Sequence, residues 1–250
     1  MSNARSFLGA GDIYINRQVD GVAQGVMGPF KADAFKITPK VDTKKSTSKG
    51  RDDYGQVLES VNLAQPTEFQ LDLKEVTGDV LTMAFLGIAA DLTEAAGTLN
   101  ATATISKIGA WVPLGKRNLD EAIAVTNEAG TTTYHEGTDY ELNRPLGWIR
   151  AIAGGAITAA STIKATGAYD GFTGTEISGS VRTEVRAELV FDGINQADGS
   201  QCIVDVYEAV LSADSAFDFL ADDFGKVSLK GTLKTPTGKT APYKVKVQKL

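Results

Sequence analysis

The stretch Val181-Arg182-Thr183-Glu184-Val185-Arg186-Ala187-Glu188-Leu189-Val190-Phe191 decides how this chain folds. Side chains on a strand alternate between its two faces. Val181, Val185, Ala187, Leu189 and Phe191 therefore point one way, and Arg182, Glu184, Arg186 and Glu188 the other. A period of two predicts a strand with one buried and one wetted face. The pattern recurs downstream. Residues 227–234 set Val227, Leu229 and Leu233 against Ser228, Lys230 and Lys234, and residues 243–248 set Tyr243, Val245 and Val247 against Lys244, Lys246 and Gln248. Between them Asp192-Gly193-Ile194-Asn195-Gln196-Ala197-Asp198-Gly199 is turn-rich and reads as a hairpin tip. The last third of the chain is thus an antiparallel scaffold.

Working back toward the N-terminus, residues 12–16 and 30–37 read as short strands on either side of a glycine-rich stretch ending in Gly28-Pro29. Residues 38–53 hold Lys40, Lys44, Lys45, Lys49 and Arg51 among Ser, Thr and Asp, with no apolar periodicity beyond Val41. They are expected to form a long polar loop, either solvated or contacting another subunit. Residues 56–64 and 68–75 predict a hairpin broken at Gln65-Pro66-Thr67. The period then changes: Val80, Leu81, Ala84, Phe85 and Ile88 recur at helical spacing, with Thr77 as N-cap and Asp79 at the positive end of the dipole. One helix is predicted over about 77–88, burying Leu81, Phe85 and Ile88.

Residues 89–175 are rich in Ala, Gly and Thr. Short strands are predicted at 98–108, 122–127, 131–135, 140–142, 148–152 and 162–169, with turns at Glu128-Ala129-Gly130 and Glu136-Gly137-Thr138-Asp139. The expected fold is mainly β: two packed antiparallel sheets, a sandwich or barrel, with one flanking α-helix and an inserted small β domain. The core would comprise residues 1–98 and 173–250, and the insertion residues 99–172.

The chain has 250 residues, 42% of them hydrophobic and 22% charged, with a formal net charge of −6. That supports a real core and argues against general affinity for nucleic-acid backbones. The single cysteine, Cys202, sits in apolar alternation with Val204 and Val206 and reads as a buried thiol. No signal peptide is visible and no apolar run reaches the ~20 residues that cross a bilayer, so a cytoplasmic origin is expected.

The inventory for catalysis is thin. His135 is the only histidine and lies in a predicted hairpin tip, where nothing nearby would orient or tune it. One Cys and one His make a zinc site unsupported. Asp52-Asp53 and Asp222-Asp223 read as solvated pairs rather than acid–base machinery. The tip at 192–199 lacks the closing bidentate Glu of a calcium loop. Gly9-Ala10-Gly11-Asp12 precedes a strand rather than a helix, which removes the anion site of a dinucleotide fold. The expectation is a non-enzyme without a cofactor or metal.

The succession of parts resembles a known family. Gly11-Asp12-Ile13-Tyr14-Ile15 leads through a Gly-Pro segment to a long polar loop, then a hairpin and a helix starting near Thr77-Gly78-Asp79-Val80; the chain closes with Val190-Phe191-Asp192-Gly193, Asp205-Val206-Tyr207 and Asp222-Asp223-Phe224. Over residues 7–90 and 177–250 this is similar to the major tail tube proteins of long-tailed bacteriophages. The resemblance implies a virion tail protein, assembled in the host cytoplasm as stacked hexameric rings. The hollow tube would conduct DNA at ejection without binding it specifically. It also implies a tape-measure protein, a tail terminator and distal tail or baseplate proteins as partners.

Under that resemblance Lys40, Lys44, Lys45, Lys49 and Arg51 would reach the neighbouring ring on a loop ordered on assembly. Glu184, Glu188 and Asp205 would lie near the lumen, while Arg182 and Arg186 could equally turn that face into an inter-subunit salt-bridge ladder. The insertion would decorate the tube exterior. The alternative reading is a phage or surface decoration or adhesin module that binds a ligand without forming tubes, with the insertion as its adhesive part.

Overall fold

The computed structural model describes residues 6–248. Two compact units divide the chain: Met1–Ala89 with Ile177–Leu250, and Ala90–Glu176. In chain order the first unit begins with β1 (Gly9–Val19), β2 (Val22–Phe30), β3 (Ala32–Thr47), β4 (Val57–Leu73) and helix α1 (Gly78–Ala84). Strand β5 (Ile88–Glu94) leads into the second unit, which holds β6 (Gly97–Ile105), β7 (Val112–Pro113), β8 (Ala124–Asn127), β9 (Thr133–Tyr134), β10 (Tyr140–Asn143), β11 (Trp148–Ala151) and β12 (Ser161–Tyr169). Strand β13 (Phe172–Ser178) pairs with β5 where the chain crosses back. The first unit then finishes with β14 (Val185–Asn195), β15 (Gln201–Ala213), β16 (Val227–Leu233) and β17 (Tyr243–Val247).

The first unit is one hydrogen-bonded path, β2-β1-β14-β15-β16-β4-β3, with β17 also paired to β15. Strand β15 is long enough to serve two neighbours. Cys202 to Val206 face β17, and Ala209 to Ala213 face β16. The path is curled into a sandwich-like body: Phe35 on the terminal strand β3 stacks on Phe191 of β14 at 5.4 Å and meets Phe69 of β4 edge-on at 5.0 Å. Glycine clears the space. Gly11 and Gly193 are cross-strand partners, and a Cβ on Gly193 would lie 2.2 Å from the Phe191 ring. The core beneath is Ile13, Ile15, Phe69, Leu71, Leu73, Leu189, Leu211 and Leu229, all buried.

The predicted alternation holds where strands cover that core. Val185, Ala187 and Leu189 are buried, as are Val227, Leu229 and Leu233. It fails at its start: β14 begins at Val185, leaving Val181 exposed in the preceding turn, where the Ser180 and Arg182 N–H groups donate to the Phe85 and Leu86 carbonyls at 2.7 and 2.9 Å. Asp192 and Gly193 belong to β14 rather than to the hairpin tip, paired with Asp12 and Gly11. The break expected at Gln65-Pro66-Thr67 is absent, because β4 runs through it as one strand.

The helix is shorter than expected. Thr77 caps it, its hydroxyl accepting the Val80 N–H at 3.3 Å. It ends where Leu86 turns left-handed (φ 49°) and the Gly87 N–H closes on the Thr82 carbonyl at 2.8 Å. The truncation turns a different face inward: Val80, Thr82 and Met83 are buried, Leu81 and Phe85 only partly so, and Ile88 is exposed on β5.

The second unit contains two sheets, β6-β12-β8-β9 and β10-β11-β7, around Leu99, Ile105, Val125, Tyr140, Ile149 and Ile163. Every strand expected between 98 and 169 is present. The unit is wider than residues 99–172 because the β5–β13 pair spans its junction, and both strands are largely exposed and carry no buried-face pattern.

Candidate assembly surfaces

Strands β3 and β4 outgrow their sheet. Strand β16 pairs with β4 from Glu68 to Leu73, but β3 and β4 stay paired out to Thr47 and Val57. From Lys40 onward the two form an arm with eight residues on β3 and nine on β4, roughly 25 Å at about 3.3 Å per residue. Its base carries a bulge: Thr38 pairs with Glu68 and Lys40 with Gln65, so β4 contributes one residue more, at the site of Pro66. Proline in a strand belongs at such a place, since it has no N–H for the ladder. The tip is tightly built. Ser48 N–H donates to the Gln56 carbonyl at 2.8 Å, Gly55 N–H to the Ser48 carbonyl at 2.9 Å, and Gly50 N–H to the Ser48 hydroxyl at 2.9 Å.

Residues 38–53 are therefore strand and ordered tip, not the polar loop that their composition predicts. The physical reason is that neither face of the arm is covered. A strand without a buried side has no need of apolar alternation, so the usual signal is missing. Its register places Val41 beside Ala64 on one face and Val61 and Leu63 opposite Lys44 and Asp42 on the other. Leu58 is 65% exposed and Tyr54, at the tip, 77%. Of the basic residues, Lys40 pairs with Glu68 and Lys44 with Asp42 at 2.9 Å; among the described residues Lys45, Lys49 and Arg51 have no carboxylate partner.

A second surface is the wetted side of the sheet. Glu188 accepts the Asn16 side-chain amide at 3.1 Å, and Asp205 pairs with Lys246 at 2.6 Å, raising the pKa of that ammonium. Arg186 binds Glu184 at 2.7 Å and Glu208 at 2.9 Å, and its pKa is raised first by Glu184. Arg182 and Glu184 precede β14, and Arg182 instead holds Asp20 at 3.0 Å. Arg182 thus lies before the strand rather than on its wetted face, and within the chain both arginines are paired.

The third surface was not legible from alternation. Between β15 and β16, residues 214–226 contain Phe217, Phe219, Leu220 and Phe224 with Asp214, Asp218, Asp222 and Asp223. Phe85, Phe217 and Phe219 form a cluster with centroids 4.9–6.0 Å apart, which anchors the loop beside the end of α1. Leu220 is nonetheless 91% exposed and Phe224 fully so. The Leu220 N–H donates to the Asp218 carboxylate at 2.8 Å. The available signal was compositional: four large apolar side chains with no strand or helix period to bury them.

His135 is exposed at a turn, and its backbone N–H donates to Asp139 at 2.8 Å. Asp52-Asp53 lies at the arm tip and Asp222-Asp223 in the acidic loop. No group of three or more metal-ligating side chains occurs among the described residues, and none of their helices is long and apolar enough to cross a membrane. Cys202 is buried on β15. An apolar cleft of about 360 Å³ opens at Phe7, Ile13, Phe35 and Phe191, with Asp33 and the Cys202 thiol as the titratable side chains that line it. A second cleft of similar size gathers Arg17, Asp20, Arg182 and Arg186. There burial, and then Arg182, push the Arg17 pKa down.

No curated protein matches the chain. A family model described as "Protein of unknown function UCP028589" matches residues 6–244. With nearly its whole length inside that match, the chain belongs to this family.

Proposed function

We propose that this protein is a self-assembling structural subunit, the tail tube protein of a long-tailed bacteriophage, which polymerises as stacked hexameric rings. The observation that carries this reading is the arm formed by β3 and β4. An isolated two-stranded ribbon is marginal in water, yet here one projects with apolar residues on both faces and a charged tip of Lys49, Arg51, Asp52 and Asp53. Open strand edges and exposed apolar ribbons invite pairing with another chain, and a repeating assembly of identical copies satisfies them. On this reading the second unit decorates the tube. The net charge of −6 suits a conduit that DNA passes without adhering. The tape-measure protein, tail terminator and distal tail proteins would be its partners, and the virion tail its place.

Negative-stain microscopy of concentrated protein tests the proposal. Rings or hollow tubes are expected; discrete particles at every concentration would overturn it and favour the decoration or adhesin reading, in which the separately cored second unit binds a ligand. A companion variant replaces residues 43–62 by Asn-Gly, closing the arm at the Asp42–Leu63 pair with a two-residue turn. It should keep the thermal unfolding of the parent and lose assembly.

A further inference from the structure

The arm and the acidic phenylalanine loop are complementary in kind. The arm presents Lys44, Lys45, Lys49 and Arg51 beside exposed Tyr54 and Leu58; the loop presents Asp218, Asp222 and Asp223 beside exposed Phe219, Leu220 and Phe224. Neither set is neutralised inside the chain. Among the described residues Lys45, Lys49 and Arg51 lack a carboxylate partner, Lys44 has only its strand neighbour Asp42, and Asp214, Asp218, Asp222 and Asp223 form no salt bridge. Lys226 is the loop's sole cation. We propose that the arm of one copy docks on the 214–226 loop of the next copy, apolar against apolar at the centre and cation against carboxylate at the rim. This rests on the self-assembly reading above and adds to it the partner segment.

The occupant follows from charge and shape. A nucleic acid or an anionic lipid surface would be repelled by the loop's carboxylates. A narrow ribbon with Lys44 and Lys45 along its length, and Lys49 and Arg51 beside Asp52 and Asp53 at its tip, meets a loop that has four carboxylates and the single cation Lys226. The loop's apolar side chains stand out between the acids, an arrangement with an apolar centre and a charged rim. The contact is also heterologous, because arm and loop are different patches of one chain. A heterologous contact does not stop at a dimer; it repeats until it closes or continues as a filament. The anchoring of the loop by Phe85 and Phe217 keeps its ordering cost low, since one side of the loop is already fixed.

The test is charge reversal read by sedimentation and microscopy, with thermal unfolding as the check on folding. One variant carries D218K, D222K and D223K; a second carries K44E, K45E and K49E; a third carries all six. All the altered side chains are exposed. Each triple reversal should raise the concentration needed for assembly about tenfold or more, and the sixfold variant should recover it. L220S with F224S should weaken assembly in the same way without changing unfolding. Wild type that assembles while the reversals have no effect would overturn the docking assignment, returning the loop to some other basic partner, and leave the self-assembly reading standing. Wild type that never assembles would overturn both. Reversals that disrupt assembly with no recovery in the sixfold variant would overturn the pairing of these two segments.

Discussion

The two units of this chain treat their apolar surface in opposite ways. Among the described residues, the large apolar side chains left exposed in the second unit are Leu146, Trp148 and Phe172. The first unit leaves out Phe7, Leu8, Val22, Val26, Val41, Tyr54, Val57, Leu58, Val61, Leu63, Phe219, Leu220, Phe224, Val245, Val247 and others. The difference in chain length is far too small to account for this. The second unit closes around its own core; the first keeps an arm, a loop and strand edges that its own residues do not cover. Exposed apolar area on this scale is the kind that association would cover, and on the proposed self-assembly reading it is the first unit that supplies it.

The strongest way to break the comparison is to ask whether the two cores stand separately. Leu71 and Ile163 are both fully buried, one in each core. Each truncation to Ala should cost about 2–5 kcal/mol, from lost burial and the cavity left behind. L71A should lower only the unfolding transition of the first unit and I163A only that of the second, in calorimetry of the full chain. A single merged transition, moved equally by both, would show that the units are not independent.

The same contrast explains what the sequence revealed. Strands that cover a core announce themselves: Val185, Ala187 and Leu189, or Ile163 and Ala165 on β12, alternate because water excludes them from one face. Strands β6 and β8 to β12 of the second unit were legible for that reason, whereas the two-residue β7 and the exposed pair β5 and β13 were not. The β3 side of the arm was not, since both its faces are wet and threonine and lysine satisfy its backbone pairing as well as anything apolar, while its β4 side was read as a strand but with the wrong partner. The long β4 was read as two strands because Pro66 signals a break, whereas the bulge accommodates it. The helix was read too long because Phe85 and Ile88 fit its period, while the left-handed Leu86 that ends it carries no local mark. For the site, the basic residues of the arm were picked out by composition. The phenylalanine loop escaped, as its cluster depends on Phe85, distant in sequence.

A smaller effect sharpens the picture of the second unit's packing. Gly147 sits at φ +66° with its Cα against Lys116, where a Cβ would lie 1.5 Å from the carbonyl oxygen. Its N–H donates to Arg144 and its carbonyl accepts from Leu114 at 2.8 Å. G147A must move backbone, and a loss of about 1–3 kcal/mol is expected, confined to the second unit's transition. In the first unit the corresponding small perturbation is the cap: T77A removes the acceptor for Val80 N–H and should cost about 0.5–1 kcal/mol, the bond at 3.3 Å being long. An unchanged Tm in T77A would mean that the tertiary contacts of Val80 and Met83 alone hold the helix.

The smallest effect separates the units by the means they use to hold a charge. Asp20 in the first unit has its pKa lowered by the Arg182 guanidinium, and Asp139 in the second by the backbone N–H groups of Ala156 and His135, each at 2.8 Å. Both folded values lie below the ordinary carboxylate one of about 3.9. Each group therefore adds stability above that pH, and the contribution is lost as pH falls through the depressed folded value. Salt should tell them apart. The Asp20–Arg182 pair is an exposed ion pair, which added salt screens, so its pKa should drift back up toward the ordinary value. The Asp139 carboxylate is held by short, directional bonds, and its residue is buried although the rest of the turn, residues 135–138, is exposed, so mobile ions have less access to it than to Asp20. Carboxyl titrations by NMR at low and high ionic strength should move Asp20 and leave Asp139 in place. Equal movement of the two would mean that Asp139 answers to a long-range field rather than to its two amide donors.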